Sequence, residues 1–369
     1  MQPVNASILV RQKFSDLQGW VLDDHDAALA TFRHSCREIL ANGSAFSRTV
    51  SFGGSKSDWV DLCNGSMTAS DSRGFFESQF IPYRVIDAVR PGGLFTGYYE
   101  PEAQGAREPG GAFTVPVYGR PQDLVTFDRA QQQRTGLDYG RVTDGVPQPY
   151  FSRMEIEHGA LKGRGLELVW LRDWADVFFM QIQGSGSVIL PDGSVMRLSY
   201  AAKSGRGYTG IGALLVERGV ITREQMSMQA IRAWMNENPD KARLLMWENQ
   251  SYVFFREARL EDPDLGALGA QHVQLTPVRS IAVDRSIWMF GTPIWLETET
   301  PTEQSGGLQP FQKLLIAQDT GSAIKGHARG DVYWGSGKTA AHIAGLMKSP
   351  GKMIVLLPKS VAERLGLKP

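Results

Sequence analysis

Residues 319–335 read DTGSAIKGHARGDVYWG. Two aspartates, Asp319 and Asp331, stand twelve positions apart with small residues between them, and the second leads directly into the strand-like Val332-Tyr333-Trp334. Carboxyl groups held at strand ends are a common means of moving a proton on and off a reacting oxygen. The same residues have a plainer use, since Asp319 can cap the Thr320-Gly321 turn and Asp284 can bind backbone amides in a turn of its own. Elsewhere the chain sets neutral polar and aromatic side chains beside glycine. Thr96-Gly97-Tyr98-Tyr99-Glu100, Gln181-Ile182-Gln183-Gly184-Ser185, Tyr200-Ala201-Ala202-Lys203 and Gly207-Tyr208 all have this form at expected strand ends, where backbone can approach a ligand closely. Sugars need that combination, because pyranose faces stack on aromatic rings while hydroxyl and acetamido groups take uncharged donors and acceptors. Any one run is equally an ordinary aromatic strand; their recurrence points to a glycan.

Other chemistries lack their residues. Gly335-Ser-Gly-Lys-Thr339 ends like a phosphate loop, but Val332 occupies the position of the required first glycine. Gly184-Ser-Gly186 has Ile189 where a dinucleotide fingerprint has its third glycine, and it is flanked wrongly for a serine-hydrolase elbow. The six histidines show no ligand spacing. No metal and no cofactor is therefore expected. Lys plus Arg equals Asp plus Glu at 39 each, so no basic field exists to hold nucleic acid. No apolar run approaches the roughly 18 to 20 residues that span a bilayer, and MQPVNASILV lacks the pattern of a signal peptide. The two cysteines, Cys36 and Cys63, suit neither zinc nor a redox motif. Two buried thiols and one disulfide remain equal readings of them.

The elements that must position these residues can be read from periodicity. Leu29, Phe32, Cys36 and Ile39 or Leu40 follow helical spacing after Asp24, and Trp59, Leu62 and Cys63 do the same. A bridge between the cysteines would staple two N-terminal helices. From residue 94 to 200 the runs LFTGYYEP, FTVPVYGR, LELVWL, VFFMQIQ, SVIL and VMRLSY read as strands. Thr222-Arg-Glu-Gln225 has the form of a capping box opening a helix with Ile231, Trp234 and Met235 on its apolar face. Short strands return in YVFF, SIAVD, PIWLE, KLLIAQ, DVYW and MIVLLP, with one helix near 338–348. Such strands suggest a barrel rather than alternating β-α units. Residues 103–112, 128–147 and 300–309 read as the least ordered segments.

The segments FTGYYEP (95–101), QIQGSG (181–186), SMQAIRAW (227–234), SYVFFRE (251–257), RSIAVDRSI (279–287) and DTGSAIKGHARGDVYWG resemble, in this order, the membrane-bound lytic murein transglycosylase A family. The C-terminal part also resembles the three-aspartate (3D) domain, with Asp284, Asp319 and Asp331 in the naming positions. Ser322 and Val278 stand where the family pattern has glycine. The resemblance implies a mainly β fold with N-terminal and peripheral helices. Residues 1–102 and 263–369 would form a discontinuous double-psi β-barrel domain, its 3D-like part about 270–358, and residues 103–262 an inserted second β-barrel, with a glycan groove between the two. It implies a periplasmic enzyme, associated with the outer membrane, although no lipid-bearing cysteine is visible at this N-terminus. In that compartment the cysteine pair is expected as a disulfide. Peptidoglycan glycan strands would be the partner, with cell-wall synthesis or division proteins as further candidates, and the chain a monomer.

The implied reaction cleaves the β-1,4 bond between N-acetylmuramic acid and N-acetylglucosamine and leaves a 1,6-anhydromuramyl end without adding water. The leaving oxygen then needs a proton from a carboxylic acid of raised pKa. Asp331 is expected as that acid and afterwards as the base, with Asp319 holding its environment or raising its pKa and Asp284 supporting the turn. Thr96, Tyr98, Tyr99, Gln181, Gln183, Gly184, Ser185, Tyr200, Tyr208, Ser227 and Lys325 are expected to bind substrate. Two alternatives keep the glycan and change the chemistry: a water-using glycoside hydrolase of peptidoglycan, and a catalytically silent glycan-binding protein.

Overall fold

A computed structural model describes residues 9–41, 43, 50–86, 92–262, 264–303 and 307–367. The chain forms two compact units, one from residues up to Tyr99 together with those from Asp262 onward, the other from Glu100–Glu261. In chain order the first stretch holds β1 (Leu9–Arg11), α1 (His25–Leu40), α2 (Lys56–Thr68), α3 (Ser72–Gln79), β2 (Phe80–Val85) and β3 (Leu94–Glu100). The middle holds β4 (Glu102–Ala106), β5 (Val115–Tyr118), β6 (Val125–Thr126), α4 (Arg129–Thr135), β7 (Tyr139–Thr143), β8 (Val146–Gln148) and α5 (Arg153–Glu155). It continues through β9 (Glu167–Leu171), α6 (Trp174–Gln183), β10 (Ser185–Ile189), β11 (Val195–Lys203), α7 (Ile211–Glu217), α8 (Met228–Glu237), α9 (Pro239–Glu248) and β12 (Val253–Glu257). The chain then runs through β13 (Ser280–Val283), β14 (Pro293–Pro301), β15 (Leu308–Asp319), β16 (Arg329–Ser336), α10 (Gly337–Leu346), β17 (Lys348–Ser349), β18 (Gly351–Pro358) and α11 (Lys359–Arg364). The fold is mainly β, with helices at the N-terminus and periphery.

The first unit is built on a sheet ordered β1-β2-β18-β14-β15-β13-β16-β3-β17. Its central strands are buried on both faces, which is why PIWL, LLIA and MIVLL read as unbroken apolar runs. Trp295, Leu314, Ile316 and Ile354 pack with Phe32, Trp59 and Phe76 of the N-terminal helices. Their neighbours in sequence, Ile294, Leu296, Leu315 and Val355, pack with Phe95, Ile281, Val283 and Val332. Helix α1 starts where the Asp24 carboxylate accepts from the Ala27 amide, and Cys36 on its buried stripe is disulfide-bonded to Cys63 of α2.

The second unit has a sheet ordered β12-β11-β10-β4-β9-β5 and a smaller one ordered β6-β7-β8. Three expectations fail here. VFFMQIQ is helical rather than extended, because Asp173 caps the Asp176 amide and Gly184 closes the helix in the left-handed conformation at φ 82°. Its strand-like sequence reflects burial toward two cores, with Val177 and Met180 in one and Phe178 and Phe179 in the other. The Thr222–Gln225 bond forms, yet it closes a turn, and α8 starts only at Met228, with Ser227 accepting from the Ala230 amide. The segments read as least ordered at 103–112 and 128–147 carry β4, α4, β7 and β8. In 300–309, β14 and β15 extend to Pro301 and from Leu308, and residues 304–306 lie outside the described residues.

Candidate active site

Strand β13 runs between β15, to which it is parallel, and β16, to which it is antiparallel. Ala282 lies opposite Asp319 on one side and Asp331 on the other. The two aspartate backbones are thus separated by two inter-strand spacings, about 10 Å. A register shift between Ile281 and Ala282 re-aims the end of β15, as bulges do. With only a methyl at Ala282, β13 itself places no long side chain between the two aspartates. Gly330 permits the close approach of β16 to β13, since a Cβ there would meet Ile281 Cδ1 at 2.5 Å.

The two carboxyl groups differ in what holds them. Asp319 is fully engaged: Oδ1 accepts from the Ala270 and Thr320 amides and Oδ2 from the Tyr98 hydroxyl, each at 2.9 Å. Burial pushes its carboxyl up and these bonds pull it down, while the nearby Asp331 charge pushes it up again, leaving it above the ordinary range. Asp331 Oδ1 accepts from the Thr96 hydroxyl at 2.5 Å, and among the described residues Oδ2 accepts nothing. Burial raises Asp331, and the Arg329 guanidinium and the Thr96 bond return only part of that rise. Burial is the largest cause of the rise at both carboxyls, and the two charges repel each other. Such a pair supplies one carboxyl able to carry a proton and one fixed neighbour.

Tyr98 packs with Tyr333, Ala282, Leu275 and Ile324 below the carboxylates. Burial and the Asp319 charge hold its phenol well above the usual range, so it stays a donor. Asp284 is buried beneath the loop between the other two aspartates. It accepts from Ser286 N at 3.1 Å, Ser286 Oγ at 2.7 Å and Gly326 N at 3.1 Å, with Lys325 Nζ 3.7 Å away. Burial alone would raise its carboxyl; the Ser286 and Gly326 bonds and the Lys325 charge hold it below the ordinary range.

The chain matches the family model of the MltA specific insert domain over residues 94–256 and that of the 3D domain over residues 279–357. A membrane-bound lytic murein transglycosylase from Agrobacterium tumefaciens, known as a crystal structure, is 34% identical, with a TM-score of 0.86 over 97% of this chain and 99% of that one. The chain belongs to the membrane-bound lytic murein transglycosylase A family. A curated family member from Vibrio cholerae is 36% identical over 263 residues, which are 70% of this chain and 64% of that relative's length. The match therefore spans just under two-thirds of that curated protein. The Escherichia coli family member with bound chitohexaose is 28% identical, at a TM-score of 0.66 over 95% of this chain and 91% of that one.

Within the family frame, the side chains singled out by sequence fall into three groups. Thr96 and Tyr98 each contact a carboxylate in the first unit, while Tyr99 is buried and Lys325 sits by Asp284. Gln181 is used inside the second unit, accepting from Arg153 at 2.6 Å and donating to the Val253 carbonyl at 3.0 Å; Gly184 and Ser227 terminate helices, and Ser185 is buried in β10. Tyr200 and Tyr208 of that unit are exposed, at 44% and 43%, and Gln183 is half-buried at the end of α6. Sequence reasoning missed Arg329 and the amides of Ala270 and Thr320. The first had a signal: Arg329, Asp331 and Tyr333 share one face by the two-residue period of a strand.

Proposed function

We propose that this protein is a lytic transglycosylase that cleaves the β-1,4 bond between N-acetylmuramic acid and N-acetylglucosamine in peptidoglycan. The observation that carries the reading is the asymmetry of the carboxyl pair, with one oxygen of a raised Asp331 left open and both oxygens of Asp319 taken. Asp331 gives its proton to the leaving O4 as the C1–O4 bond breaks. The muramyl C6 hydroxyl closes on C1, and its proton passes to the Asp331 carboxylate. One residue is acid and then base, the 1,6-anhydro ring replaces added water, and the enzyme is returned to its starting state. A hydrolase would need a second carboxylate free to attack or to activate water, roughly 5 to 9.5 Å from the first. The saturation of Asp319 favours the single-acid reading.

In the second unit we assign sugar contacts to Tyr200, Tyr208 and Gln183, on the strength of the two exposed rings. The nine-stranded sheet, with its parallel β13–β15 pair, is compatible with the double-psi barrel that the family likeness implies. A periplasmic location is supported by the disulfide and by relatives named as membrane-bound. Among the described residues no helix is long and apolar enough to cross a membrane. The test is product mass. Purified peptidoglycan digested by the protein should yield muropeptides one water lighter than hydrolase products, and products of full hydrated mass would overturn the proposal.

A further inference from the structure

Thr96 Oγ1 lies between two partners of opposite demand. Arg329 Nη2 is 2.8 Å away and can only donate, whereas Asp331 Oδ1 is 2.5 Å away on the other side. The guanidinium is itself held in place, because Nη1 donates to the Gly330 and Leu94 carbonyls and the residue is 8% exposed. With an N–H already directed at its oxygen, the single Thr96 proton has Asp331 as its acceptor. Oδ1 is thereby fixed as a receiver of that proton, and any proton carried by Asp331 itself must sit on Oδ2, the oxygen without a partner among the described residues.

We infer that Arg329 is a positioning residue that acts through Thr96 to select which oxygen of Asp331 carries the transferable proton and to stabilise the carboxylate left once that proton has gone. The inference rests on the proposed role of Asp331. It explains a basic residue buried beside a group that must be an acid: after proton transfer the new charge is met by a hydroxyl already aligned, with no reorganisation needed. Among the described residues, Asp319 from β15 and Tyr98 from β3, with Tyr333 behind Tyr98, are the other titratable groups that feel the Asp331 charge, none of them a cation, and Arg329 is the cation that lowers Asp331.

The experiment is a pH profile of kcat/KM on purified peptidoglycan for Arg329→Met, Thr96→Val and Thr96→Ser. A general acid loses activity as pH rises through its pKa, so Asp331 sets the basic limb. Removing either the cation or the hydroxyl leaves the carboxylate less stabilised and should move that limb upward, by about one pH unit for loss of an adjacent opposite charge. Thr96→Ser keeps the oxygen and should return the limb to its wild-type position. Because Arg329 acts through Thr96, the Thr96→Val shift should not grow by the full Arg329 increment when both changes are combined. If Arg329→Met fails to fold, Thr96→Val against Thr96→Ser still decides the matter, supported by infrared titration of the carboxyl with Asp331→Asn as the blank. A basic limb unmoved in Thr96→Val, with folding intact, would overturn the inference. Failure of the parent reading looks different, since Asp331→Asn would then keep wild-type turnover whatever the limb does.

Discussion

An aspartate whose carboxyl is pushed up by burial is less stable ionised in the folded chain than in the unfolded one. Its folded pKa lies above the unfolded value, so stability is lost as pH climbs from the ordinary carboxylate range to the raised one, and the loss then persists at neutral pH. Asp331→Asn cannot ionise, yet it keeps an oxygen for Thr96. It should melt higher than wild type at pH 7, with the gap closing below about pH 4, and turnover should fall by about 10² to 10⁴ or more. Parallel thermal melts and muropeptide assays over pH check both halves. Val278 carries a second strain, with φ at 60° in a region that β-branched residues avoid and its amide bonded to the Tyr333 carbonyl at 2.7 Å. Val→Gly at a half-buried site ordinarily costs about 1.5 to 3 kcal/mol in lost burial and gained backbone freedom. Here relief of about 1 to 2 kcal/mol offsets much of that, so denaturant unfolding of Val278→Gly should fall within about 1 kcal/mol of wild type. The sequence showed that this position departs from the family's glycine, but its backbone angle was visible only in the fold. The pairing of Asp319 and Asp331 about Ala282 was hidden for a related reason, since register between distant strands is set by long-range contacts and a bulge.

Elements were legible where one face was apolar and poorly legible where more than one was. Helix α1 shows its stripe and its Asp24 cap, whereas α6 shares its apolar residues between two cores and so hides its period. The Cys36–Cys63 bridge joins α1 to α2 across 27 residues of sequence. Replacing both with serine should lower unfolding free energy by about 2 to 4 kcal/mol. Turnover per folded molecule should stay unchanged, because both cysteines pack in the helical layer with Phe32 and Trp59, whereas Asp331 lies on the face with Ala282 and Tyr98. Calorimetry and active-site-normalised assays read the two separately. The loop between Asp319 and Asp331 depends on Asp284 through the Gly326 amide. Since the Asp284 carboxyl is held below its usual range, its contribution is present above the unfolded value and lost as pH falls through the folded one. Asp284→Ala should therefore increase amide exchange across residues 320–328 at neutral pH, and the difference from wild type should shrink in acid. Equal exchange at neutral pH would count against Asp284 as the anchor.

At the scale of the molecule, each unit has its own apolar clusters: Val169, Leu171, Val188 and Leu198 anchor one in the second, and Ile281, Leu315, Val332 and Val355 one in the first. A chain of residues 100–261 should consequently fold alone, with a cooperative melt and dispersed amide resonances; a molten spectrum would show that its clusters are insufficient. The family resemblance implied such an insertion, while the boundary between Tyr99 and Glu100 falls inside a continuous strand, β3, and leaves no mark in the sequence. The first and last strands of the second unit lie in one sheet. Glu257 pairs with Leu198, Leu198 with Gly186, and the adjacent Ser187 with Glu102. Its two ends are therefore about 14 Å apart, three inter-strand spacings. The first unit must bring β3 beside β16 across this whole segment, and the entropy of closing a flexible loop rises with its length. Once the second unit has folded, that separation contracts to a short rigid span. The order of folding events then matters more to the speed of assembling the carboxyl site than the distance along the chain from Thr96 to Asp331.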